Sequence, residues 1–216
     1  MKIRMLFVGL MLSLLACSNA GAWGLPSIGG NSSTPAGNPD AFLAKAKKSE
    51  ALVNKSADQL FMVVATKEQQ AKIEEQQQKL KETTDPKEQE AINNAIMTSE
   101  CAVISSNCAD EKLQQDAKNW DDQKKKLAVA SLFNLALGAK MAADLVPQGQ
   151  SLATSIQSNP MMLAKVGTML ESVKCLAGIG TGTARVLIAV PPVFSSANIT
   201  VELPKSSSAA PIKTDL

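Results

Sequence analysis

The sequence predicts a mainly α-helical protein: an elongated helical bundle that carries a projecting polar helical hairpin and a small strand pair towards the C-terminus. Three observations predict it. Apolar residues recur at three- and four-residue steps over most of residues 39–190, the spacing that builds one face of a helix. The chain holds five Phe, two Trp and no Tyr in 216 residues, so its core must be aliphatic, which suits helices better than a β-sandwich. Asn38-Pro39 and Asp85-Pro86 each place a capping side chain before a proline, the pairing that starts helices.

The first element is a secretory signal. Lys2 and Arg4 precede Met5 to Ala16, an uncharged run of 12 residues that is too short to span about 30 Å of hydrocarbon. Leu14, Leu15, Ala16 and Cys17 then resemble the lipobox of bacterial lipoproteins. The resemblance implies cleavage before Cys17 and a lipid on its sulfur, and Ser18 after the cysteine implies the periplasmic face of an outer membrane. The competing site is Ala20-Gly21-Ala22, which fits ordinary signal peptidase and would release a soluble periplasmic protein. Residues 17–38 are rich in Gly, Ser, Asn, Pro and Ala without charge, and read as a flexible tether.

The bundle domain is expected over residues 39–203. Its first helix begins at Asn38-Pro39-Asp40 and buries Phe42, Ala46, Val53, Ala57, Leu60, Phe61 and Val64. From Lys67 only Ala71, Ile73 and Leu80 are apolar. Glu68 with Lys72 and Glu75 with Lys79 stand four apart in the favoured order, so the helix is expected to continue outward. Asp85, Pro86 and Glu88 turn it round. Ala91, Ile92, Ala95, Ile96 and Val103 return along it, giving a polar hairpin over residues 67–104 as a candidate partner-binding arm.

After Asn107 a long helix is expected to run to Val146, ended by Pro147. Residues 127–146 are long and apolar enough to cross a membrane, but Asn134, Lys140 and Asp144 interrupt them, which favours a core helix with Lys140 and Asp144 paired on one face. Leu163, Val166, Leu170, Val173 and Leu176 mark the next stripe. Met161, Met162, Met169 and Cys175 read as core filler rather than copper ligands, so no metal is expected. "GIGTGTAR" lacks both a P-loop lysine and GxGxxG spacing, so it does not bind nucleotides and serves to end the helix or to allow close packing. "RVLIAV" suits strand or helix, "NITVEL" alternates as a strand, and residues 204–216 read as a disordered tail.

The chain has no histidine, which excludes Ser-His-Asp and Cys-His catalysis and histidine metal sites. Carboxylate pairs such as Glu74-Glu75 and Asp121-Asp122 lie in polar stretches, where ordinary acidity makes them poor acids at neutral pH. Removing Lys2 and Arg4 from 22 basic residues leaves 20 against 20 acidic ones, with no electrostatic footprint for nucleic acid. Either cleavage takes Cys17 out of the disulfide count. Cys101 and Cys108 then form the expected bridge, stapling a turn at "SSN"; the alternatives join either one to Cys175. The expected function is non-enzymatic and without cofactor: a lipid-anchored periplasmic binding or scaffold component of an envelope assembly, with a protein partner. The alternatives are a soluble periplasmic carrier of an apolar ligand and a membrane-inserting helical protein.

Overall fold

The computed structural model describes residues 38–156 and 163–214, and these are mainly helical. The helices are α1 (Pro39–Val64), α2 (Lys67–Glu82), α3 (Pro86–Cys108), α4 (Glu111–Ala117), α5 (Asp122–Ile156), α6 (Leu163–Ala189) and α7 (Pro191–Ser196). α1 packs along α5, α5 along α6, and α3 lies against both α1 and α6. Cys101, Cys108, Ile104, Leu135, Met169 and Ile179 share one mostly aliphatic core with Phe61 and Val53.

Local chemistry sets the helix starts. Asn38 accepts the Asp40 N–H at 2.9 Å, and Asp85 accepts those of Lys87 and Glu88 at 2.8 and 3.0 Å, so both predicted caps are present. The expected continuation of the first helix past Lys67 is corrected. α1 stops at Val64, and Thr66 opens α2 with a capping box in which Thr66 and Gln69 satisfy each other's backbone N–H groups. Asn107 secures the break: its amide donates to the Val64 carbonyl at 3.0 Å and exchanges hydrogen bonds with Gln69.

The projecting hairpin is also corrected. α3 buries Ile96, Met97, Cys101 and Ile104 in the core, and α2 packs on α3 with Ile73 buried, so this polar segment is a wall of the bundle. The long helix expected from Asn107 is two helices, because Asp110 caps α4 and the chain bends around buried Trp120 before α5. Lys124 Nζ sits 4.9 Å from the centre of the Trp120 ring. Pro147 does not end α5. A proline inside a helix costs about 3 kcal/mol, but Leu145, Leu152, Ala153 and Ile156 around it are all buried, and that packing outweighs the local preference.

Towards the C-terminus, α6 runs through Gly178, Gly180 and Gly182 and through "RVLIA", burying Met169, Val173, Leu176, Ile179, Thr183 and Val186; Leu170 is exposed. No strand occurs among the described residues, and the expected strand pair is replaced by α7 and an irregular segment whose Ile199 and Val201 pack against the core. Lys165–Asp40, at 2.8 Å, is the only ion pair among the described residues, so Lys140 and Asp144 do not pair; being exposed, it contributes about 0–1 kcal/mol.

The α1–α5 crossing is held closest at Gly138. Ser49 Oγ donates to the Gly138 carbonyl at 2.8 Å, and a Cβ on Gly138 would lie 2.5 Å from Val53 Cγ2. Gly138→Val is therefore expected to destabilise the fold by about 1–3 kcal/mol, or more, through overpacking. At Gly180 a Cβ would meet nothing within 4 Å. Gly180→Ala is expected to stabilise by up to about 1 kcal/mol through helix propensity. Thermal unfolding of the two variants, followed by circular dichroism, should move in opposite directions from the parent.

Candidate functional site

The residues singled out from sequence are placed as follows. Cys17, the expected lipid-attachment residue, lies outside the described residues. Cys101 and Cys108 are both buried on α3 and both free, so the expected bridge is corrected. No turn separates them. Seven residues of continuous helix put their Cα atoms about 10 Å apart, beyond the roughly 7 Å reach of a disulfide. Burial pushes the Cys101 thiol up to about 11 and the Cys108 thiol up to about 12, and Cys175, half-buried near Glu50 and Glu90, is pushed up to about 11. All three are protonated at neutral pH and are poor nucleophiles.

Two other sites emerge. The first is a groove of about 830 Å³ between the N-terminal half of α5 and the irregular C-terminal segment, lined by Leu127, Val129, Ala130, Ile199 and Ile212 with Lys125, Lys126 and Lys213. Asn134, only 4 % exposed, sits next to it on α5. Its Nδ2 donates to the Ile212 carbonyl and its Oδ1 accepts the Ile212 N–H, each at 2.8 Å. Gln59 on α1 donates to Thr214 Oγ1 at 2.8 Å. The segment expected to be a disordered tail is thus fastened to α1 and α5 through residues 212–214. A buried amide left unpaired would cost about 1–3 kcal/mol, which is why a polar residue is tolerated in so apolar a helix.

The second site is a cleft of about 400 Å³ between α1, α2 and α3, lined by Asn54, Asp58, Leu80, Ile96, Met97 and Glu100 among others. Glu100 is 2 % exposed. Burial, then the charge of Asp58 and a hydrogen bond to it, push its carboxyl up from 4.5 to about 8. At neutral pH Glu100 is therefore protonated, and Gln77 Nε2 donates to Asp58 Oδ1 at 3.1 Å. Glu100 Oε1 and Asn54 Oδ1 are buried without a hydrogen-bond partner. The sequence reading, which concerned pairs such as Glu74-Glu75 and Asp121-Asp122, did not single out Glu100. Its signal was faint: Glu100 follows Ile96-Met97 by four and three residues, on the face that α3 turns inward.

Among the described residues no group of three His, Cys, Asp or Glu side chains could hold a metal. Two helices are long and apolar enough to cross a membrane, Asp122–Ile156 and the stretch Lys165–Ser196; just over half of the apolar window of the first is buried inside the bundle. The described residues define a class, a mainly aliphatic helical bundle with a groove along α5, beside which residues 212–214 are held, and a cleft that contains the Asp58–Glu100 pair. The chain matches no protein-family model, no curated protein and no solved structure.

The acidity of Glu100 has a measurable consequence. Below about pH 4.5 the folded and unfolded chains both hold its proton; between 4.5 and about 8 only the folded chain does, so stability falls as pH rises; above about 8 the penalty is constant. The penalty is of the order of a few kcal/mol. Glu100→Gln is expected to match the parent near pH 4.5 and to exceed it in stability at pH 8.5, as measured by urea unfolding at the two pH values.

Proposed function

We propose that the chain is a lipid-anchored, non-enzymatic binding or scaffold protein of a bacterial cell envelope, tethered through Cys17 to the periplasmic face of the outer membrane. The anchored part of the reading is supported by the lipobox-like residues 14–17 and the uncharged tether after them. The binding part is carried by one observation, the double hydrogen bond from Asn134 to the backbone of Ile212. That clamp addresses peptide groups rather than a side chain, so it accepts an extended segment of any sequence, and apolar walls beside it can select alternate side chains. The candidate contact moves accordingly from the 67–104 hairpin, whose inner faces are occupied by the bundle, to the α5 groove. The partner is an envelope protein that presents an extended segment.

A second reading, a carrier of an apolar ligand, is favoured by the size and apolar walls of the same groove, which fall in the range of small-molecule pockets. It differs in what should co-purify: a lipid-like molecule that extracts into organic solvent rather than a protein.

Two experiments separate these possibilities. Intact and N-terminal peptide mass on protein from washed outer membranes should show an acylated Cys17, and Cys17→Ser should lose both the acyl mass and membrane attachment; a soluble product beginning after Ala22 would sink the anchored reading. Removal of residues 204–216 should increase cross-linking to envelope proteins by vacating the groove, and Asn134→Ala in that background should reduce it again. Unchanged cross-linking in both variants would remove the groove as the contact.

A further inference from the structure

The groove between α5 and the C-terminal segment changes character along its α5 wall. Lys125 and Lys126 stand one turn before Val129 and Ala130, so each ammonium group is followed on its own helix face by an apolar side chain. The C-terminal segment adds Ile199, Ile212 and Lys213 to the lining. These groups reach solvent: Lys126 and Lys213 are exposed, Ile212 is 40 % exposed, and Lys125, Leu127 and Val129 are half-buried. Asp122 is the only carboxylate among the described lining residues, so three positive charges stand against one negative, a net charge of +2. A cation is repelled there, and a wholly apolar ligand would take water from the ammonium groups without offering them an acceptor. An extended peptide needs partners for its backbone, and while residues 212–214 are in place Asn134 commits both polar atoms of its amide to Ile212.

We propose that this groove binds a single-chain anionic amphiphile, an unbranched alkyl chain that ends in one anionic head. The inference rests on the carrier reading of the groove and names its ligand class. The head takes N–H donors from Lys125, Lys126 and Lys213, whose ammonium groups carry three each. The chain lies between Leu127, Val129 and Ala130 on one side and Ile199 and Ile212 on the other, where its methylenes leave water. Lysine ammonium groups on flexible stems act as point charges and do not read the shape of the head, so charge and chain together define the class, and a carboxylate represents it. A groove of about 830 Å³ is of the size that encloses one small molecule, which points to a free amphiphile rather than to a bilayer surface.

The test is isothermal titration calorimetry of the purified full chain at pH 7 and constant ionic strength, with sodium decanoate, decan-1-ol and decyltrimethylammonium bromide, each below the concentration at which it forms micelles. Decanoate is expected to bind saturably, decan-1-ol to bind about tenfold or more weakly for want of the charged contacts, and decyltrimethylammonium to show no saturable binding. The combined substitution Lys125→Gln, Lys126→Gln and Lys213→Gln should weaken decanoate by about tenfold or more, leave decan-1-ol unchanged and keep the far-ultraviolet circular dichroism of the parent. If that variant loses its helical spectrum, Lys126→Gln with Lys213→Gln, both at exposed positions, decides the matter. Decan-1-ol binding as tightly as decanoate would overturn the proposal and leave the carrier reading standing, whereas no saturable binding of any of the compounds would overturn both. Undiminished decanoate binding by a folded lysine variant would put the site elsewhere and overturn the proposal.

Discussion

Everything in this fold hangs on how closely α1 and α5 approach. Gly138 lets the α5 backbone come down on Val53, and Ser49 uses the gap to reach the Gly138 carbonyl. Val53, Ala57, Leu135 and Ala142 then close into one cluster with almost no exposed surface. With Phe42, Phe61, Phe194 and Trp120 as its only aromatic rings, the core is mostly aliphatic, and much of its cohesion depends on short distances between small groups, where dispersion is strongest. Gly149 repeats the device further along α5, where a Cβ would strike Phe42 and Val173. α3 and α6 pack against this pair and against each other, the groove lies between α5 and the C-terminal segment, and the cleft lies between α1, α2 and α3.

Much of the architecture was legible in the sequence because it is locally encoded. The starts of α1 and α3 follow from Asn38-Pro39 and Asp85-Pro86, whose side chains reach the first free N–H groups within three residues. The apolar stripe of α1 was read residue by residue. What went unread is information held at a distance. Pro147 has the local chemistry of a helix end and is overruled by Leu152, Ala153 and Ile156, which only the folded bundle can reward. The polar surface of "KEQQAKIEEQQQKLKE" suggested a free arm, yet one buried residue, Ile73, and two amide contacts, Gln69 to Asn107 and Gln77 to Asp58, suffice to lay α2 along the bundle. Alternation in "NITVEL" is the pattern of a strand, but no neighbouring strand exists among the described residues to pair with it.

The same distinction explains the sites. Cys101 and Cys108 looked like a pair because they are near in sequence; on an uninterrupted helix, seven residues are two turns, and nearness along the chain becomes separation in space. Glu100 and Asn134 looked unremarkable or disruptive for the opposite reason. Each has its partner far along the chain, Asp58 for one, Ile212 for the other, and no short window of sequence contains both ends of such a contact. Sequence reasoning locates caps and stripes well, and it misses buried polar groups whose satisfaction is tertiary.

The Asn134 clamp also orders events in time. Its partner lies 78 residues downstream, and Gln59 waits for a hydroxyl 155 residues away. Loop closure over such separations comes late, after local helices and the α1–α5 seam have formed. Until residues 212–214 have folded back, two amides on already packed helices keep their wet partners. The last step of folding is then the replacement of that water by the Ile212 backbone and the Thr214 hydroxyl, and a bundle arrested before it would differ from the finished protein by one open groove.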